Sequence, residues 1–224
     1  MKRYTIPFLL LFVVSLSGQP QLTLNEKEYF HMPGLDVTVF SDYYPEGHQS
    51  GVTIIQHGNR VAANGDLRLE PSPGQWSPVP GAGTRIVDSA GRQITQTMWF
   101  PDSARNRRGF NPINYPDLTF TYRIRVKVLE GSSFRVEVDL DKPLPASWIG
   151  KVGFNLELFP GDLFGKSYLM DDATGIFPDQ PVGPMQDYEG EPITEPLDQG
   201  HTLVIAPEDP LQLMVITSEE TPLE

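Results

Sequence analysis

The chain has 224 residues, no cysteine, and 29 acidic against 17 basic residues, for a net charge of −12. The missing cysteines exclude disulfides, thiolate metal sites and thiol nucleophiles, and the acidic balance argues against nucleic acid or an anionic membrane as partner. A hydrophobic share of 39% is enough for a buried core, while 20 Gly and 22 Pro spread along the chain predict short strands separated by many turns.

Lys2 and Arg3 precede an apolar run over residues 6–14, broken only by Pro7, and the small residues Ser15, Ser17 and Gly18 follow. That order predicts a signal peptide over 1–18, cut near Gly18–Gln19. The apolar run falls short of the ~20 residues that span a bilayer; an uncleaved N-terminal anchor is the competing reading. Export to a periplasm or the exterior is expected, with no membrane attachment after cleavage. Removing Lys2 and Arg3 takes the net charge from −12 to −14. Neutral ligands such as glycans stay open.

From about residue 22 the pattern is all-β, an antiparallel β-sandwich with long Pro/Gly-rich loops over 19–224. Leu35, Val37 and Val39 alternate before a polar loop. Residues 52–56 read as a strand, Gly58-Asn59 as a turn, 60–62 as a short return, and Asn64-Gly65 as a second tight turn, because Asn-Gly tolerates positive φ. Residues 70–84 read as a loop. The clearest signal is "TFTYRIRVKVLEGSSFRVEVDL", which sets Phe120, Tyr122, Ile124, Val126 and Val128 opposite Arg123, Arg125 and Lys127. After a turn, Phe134, Val136, Val138 and Leu140 alternate with charges that can pair across the strands. "KVGFNLELF" repeats the period through Val152, Phe154, Leu156 and Leu158. Three such strands need a second layer. Residues 159–178 read as a loop crowded with aromatics and the pair Asp171-Asp172. A proline-rich acidic stretch follows, then strands in "HTLVIAP" and "PLQLMVITS". The ending "EETPLE" suggests the N-terminal part of a longer multidomain chain.

Motifs of exported hydrolases are missing: there is no H-E-x-x-H and no G-x-S-x-G. "GDLFGKS" has three residues between Gly161 and Gly165, where a phosphate loop has four, so no nucleotide is expected. No catalytic residue is assigned. Asp171 and Asp172, adjacent in an extended chain, point apart and cannot form a glycosidase pair with each other; either would have to face Glu157 or Asp42. The plainer reading is that they cap backbone groups in a turn. A Ca²⁺ site using both with backbone carbonyls is the lesser alternative; no other cofactor or metal is expected. Trp76, Trp99, Tyr115, Trp148 and Tyr168 are placed in or beside loops, where flat aromatic faces can stack on sugar rings. Packing is the plainer role for any single one. The candidate carbohydrate-binding set is Trp76, Trp99, Trp148, Tyr168, Asp171 and Asp172. The face carrying Arg123, Arg125 and Lys127 is not expected to bind glycan, because long charged chains stack poorly.

The segments "YPEGHQSGVTIIQHGNRVAANGDLRLEPSPGQWSPVP", "GFNPINYPDLTFTYRIRV" and "GKVGFNLELFPGDLFGKSYLMDDATGIFP" resemble the N-terminal β-domain of bacterial exported six-hairpin glycoside hydrolases related to family nine cellulases. The resemblance implies a non-catalytic accessory domain, carbohydrate-binding or domain-docking, in a polysaccharide-degrading enzyme. Its implied partners are a polysaccharide or oligosaccharide and a downstream catalytic domain of the same chain. A self-contained hydrolase using loop carboxylates and a purely structural module are the alternatives.

Overall fold

The structure, a computed structural model, describes residues 20–41, 51–70, 78–100, 118–179 and 196–224. They form three antiparallel sheets that do not close into a barrel, and two of them face each other as a β-sandwich. The first sheet holds, in spatial order, β1 (Thr23–Leu24), β2 (Phe30–Met32), β3 (Leu35–Val39), β4 (Val52–Gln56), β5 (Asn59–Leu69) and β10 (Val152–Leu158). The second is a meander of β6 (Gly81–Asp88), β7 (Gln93–Phe100), β8 (Phe120–Val128) and β9 (Phe134–Leu140). The third, smaller sheet runs β12 (Ala173–Ile176), β11 (Ser167–Met170), β13 (Thr202–Ile205), β14 (Met214–Thr217). No helix among the described residues is long and apolar enough to cross a membrane.

On β8 the period of two places the core as the sequence predicts, whereas Leu140 on β9 and Phe154 on β10, expected inside, are 37% and 39% exposed. Leu22, Phe30, Val37, Val39, Val52, Leu67 and Leu69 from the first layer meet Ile94, Met98, Phe100, Phe120, Tyr122, Ile124, Val126 and Val128 from the second. Phe100 and Tyr122 stack with centroids 5.5 Å apart and planes 12° off parallel. Fully burying each large apolar side chain stabilises by about 1.5–3 kcal/mol, so this one cluster dominates the fold. Arg85 staples the layers at one side, donating to Val39 O at 3.0 Å, Glu28 O at 2.7 Å and Glu28 Oε2 at 2.7 Å. The third sheet has its own core of Leu163, Ile205 and Ala206, packed by Leu158, Phe177, Leu203, Met214 and Ile216. Leu158 and Met214 also pack on Ile54, Val61 and Ala62, which joins the small sheet to the first layer.

Four local expectations are corrected. The β4–β5 turn is His57-Gly58, one residue earlier than read, with φ of +50° and +84°; Gln56 pairs with Asn59. Asn64-Gly65 is no turn. It is a bulge inside β5: Val52 and Ile54 pair with Gly65 and Ala62, and Asn155 and Glu157 pair with Asp66 and Ala63, so both neighbours face an extra β5 residue. Asn64 takes φ +55° there, the left-handed conformation that a bulge and a hairpin turn both demand. The stretch read as a loop over 70–84 includes the start of β6 at Gly81. Residues 159–178 are also structured, with a helical turn α1 (Pro160–Leu163) leading into the β11–β12 hairpin.

Candidate functional site

Of the five described candidates, Tyr168, Asp171 and Asp172 share the β11–β12 hairpin, while Trp99 and Trp148 lie elsewhere in the fold. Trp76 lies outside the described residues, as do Tyr115 and Asp42. Trp148 ends a 3-10 turn, Ala146–Trp148, and packs half-buried against the main core. Tyr168 is buried on β11, its ring 5.1 Å from that of Phe177 and directly over Gly175, where a Cβ would fall inside it. Both aromatics pack against the fold, Trp148 from the connection between β9 and β10 and Tyr168 from β11.

Asp171 and Asp172 form the two-residue turn of the β11–β12 hairpin, closed by the Met170–Ala173 pair, with Asp171 at φ +49°. The Asp171 carboxylate accepts from His201 N at 2.9 Å and Thr202 N at 2.8 Å, while its own N–H donates to Thr202 O at 2.9 Å. Those backbone donors hold its carboxyl below the usual carboxylate range. Gly200 must be small here, since a Cβ would stand 2.7 Å from the carboxylate. Asp171 therefore ties the hairpin to β13, the capping role available to a turn aspartate. Asp172 is exposed and has no hydrogen-bond or ion-pair partner among the described residues. Glu157 does not face either of them; it accepts from Asn64 Nδ2 at 2.6 Å and from Arg68. Among the described residues, no group of three His, Asp or Glu is placed to hold a metal ion.

Trp99 behaves differently. It is not in a loop but on β7, paired with Gly81 on one side and Thr121 on the other. Its neighbours Met98 and Phe100 point into the core, so Trp99 points outward and is 39% exposed. The indole lies over the glycines of β6: a Cβ on Gly81 would fall inside the ring, and one on Gly83 would come 3.3 Å from it. An outward aromatic covering strand glycines is held flat by the backbone beneath it.

The rest of that outer face follows from the register. Thr97 sits opposite Arg123 and Thr95 opposite Arg125 on β8; Arg123 faces Asp139 and Arg125 faces Glu137 on β9. Arg125 holds both carboxylates, Glu137 at 2.6 Å and Asp139 at 2.5 Å. Arg123 and Lys127 are exposed and make no ion pair among the described residues. The basic face set aside in the sequence thus carries the exposed indole.

Sequence reasoning missed a second polar feature. Tyr122, buried in the core, donates its hydroxyl to Asp66 Oδ1 at 2.8 Å, and the same oxygen accepts from Leu67 N at 2.7 Å. Burial pushes the Asp66 carboxyl up to about 6, against the lowering effect of those two donors. Burial and the adjacent carboxylate push the Tyr122 phenol up as well. Asn155, the cross-strand partner of Asp66, leaves its buried Nδ2 without an acceptor. The available signal was a hydroxyl in the apolar row of β8, which on burial requires a partner.

The fold and this face define a two-layer β-sandwich with an attached small sheet and one glycine-backed tryptophan on its outer surface. No family model, curated protein or solved structure matches the chain.

Proposed function

We propose that this chain is a non-catalytic accessory domain of an exported glycoside hydrolase, binding polysaccharide through the outer face of the β6–β9 sheet with Trp99 as the stacking residue. The observation that carries this reading is the indole itself. It is exposed on one side, immobilised over Gly81 on the other, and flanked by Thr97 and Thr121, whose hydroxyls suit sugar hydroxyls. A rigid platform avoids much of the entropy cost of ordering a binding side chain. The hydrophobic leader at 1–18 supports export, and the resemblance of three long segments to N-terminal domains of six-hairpin glycoside hydrolases supports the polysaccharide context. The engagement of Asp171 by backbone amides, and of Glu157 by Asn64 and Arg68, favours binding over hydrolysis by these carboxylates.

A second role, docking of a following catalytic domain, is favoured by the third sheet. Leu169, Val204 and Val215 line up in register on its outer side, with Val215 57% exposed, and an apolar row of this kind marks a contact surface. A glycan array probed with the purified chain tests the main reading. Binding lost in Trp99→Ala, with the fold retained, supports it; an array without signal removes it. Turnover of a β-glucan, abolished by Asp171→Ala or Asp172→Ala, would establish the hydrolase alternative instead.

A further inference from the structure

We propose that the glycan taken by this face is acidic, a polysaccharide of uronic acid residues, with Trp99 stacking on a sugar ring and the Arg123 guanidinium receiving its carboxylate. This rests on the glycan-binding reading above and specifies its ligand.

Trp99 pairs with Thr121 and Thr97 with Arg123, so Trp99 and Arg123 are diagonal neighbours on one face. Such neighbours lie about 7–8 Å apart, within joint reach of long side chains. Arg123 is the unusual member of the face. The chain has 29 acidic residues for 17 basic ones, and the carboxylate opposite Arg123 in register, Asp139, turns instead to Arg125. Arg125, holding both Glu137 and Asp139, is neutralised from within. Arg123 is left exposed, and among the described residues no carboxylate takes its donors; a planar guanidinium fork suits a carboxylate bidentately. Lys127, also outward and without an ion pair, lies four residues further along β8. Two cations on β8, beside an aromatic on the neighbouring β7, match a chain of uronates better than a single charge. A neutral glucan would offer Arg123 hydroxyl oxygens but no counter-charge, and so a weaker hydrogen bond.

Affinity gel electrophoresis of the full chain, with polygalacturonate or its methyl ester cast in the gel, tests this on one sugar skeleton with and without charge. The expected result is retardation by the acid form at low salt, about tenfold tighter than by the ester, weakening as salt rises. Arg123→Gln should remove most of the acid form's advantage over the ester with unchanged melting temperature, and Arg123→Lys should keep more of it. Equal binding of both forms by the unaltered chain overturns the proposal, as does a preference undiminished in Arg123→Gln. Binding of a neutral β-glucan alone overturns it while leaving the glycan-binding reading standing. Retardation by none of the three polymers overturns both.

Discussion

Replacing Asp66 by Asn removes one titrating group from the sandwich while leaving an amide oxygen to accept from Tyr122 and Leu67. In the folded protein the Asp66 carboxyl is pushed from the ordinary 3.8 to about 6. At about 1.4 kcal/mol per pH unit, that difference is worth about 3 kcal/mol. The raised value means that folding favours the protonated acid. Its contribution is therefore fully present below pH ~4, falls as pH rises through 6, and is gone above it. Urea unfolding of both proteins, followed from pH 4 to pH 7.5, reads the effect as a difference. The stability of Asp66→Asn relative to the parent should rise by about 2–3 kcal/mol over that range. Asp171, Glu208 and Asp209, all held low by hydrogen bonds, titrate in both proteins and cancel. A gap that stays constant within about 0.5 kcal/mol would refute the reasoning, since it would mean that Asp66 feels no burial.

Tyr122→Phe keeps the core volume but withdraws a hydrogen bond that lowers the Asp66 carboxyl, so its titration midpoint, followed by carboxyl NMR, should move above pH 6. Gly175→Ala sets a methyl into the Tyr168 ring and should destabilise by about 1–3 kcal/mol in denaturant titrations. Asp171→Ala strips the acceptor from the His201 and Thr202 amides; hydrogen exchange at those two amides should accelerate, and melting temperature should fall. Because its carboxyl is held low, the stabilising contribution of Asp171 should be present above pH ~4 and disappear as pH falls below that in an acid melting series.

The strands with clean alternation were legible in the sequence because one face of each is buried and the other wet. For β8, the even positions from Phe120 to Val128 are all buried, as the period of two requires. The β6–β7 hairpin was not legible, for two reasons. One inward position of β7 is Gln96, whose Nε2 donates to Gly83 O and Thr97 O, and β6 begins with glycines that carry no hydropathy signal. Both devices depend on tertiary partners. Asn64-Gly65 misled in a more specific way. Positive φ at Asn64 is real, but strands on both sides turn it into a bulge, and a local dipeptide cannot distinguish the two. At the candidate site, sequence alone identified Trp99 as an aromatic in or beside a loop, because the strand that holds it was unread. The Asp171 turn was legible as turn chemistry; its tie to β13 crosses about 30 residues and was not.

The most direct test of glycan binding through Trp99 is the indole N–H region of a ¹⁵N-labelled sample titrated with polygalacturonate oligosaccharides. The indole of Trp99, assigned through Trp99→Phe, should shift progressively with ligand, while that of Trp148, packed against the core, stays in place. An unmoved Trp99 signal at saturating oligosaccharide, or a shift confined to Trp148, would contradict the assignment of this face.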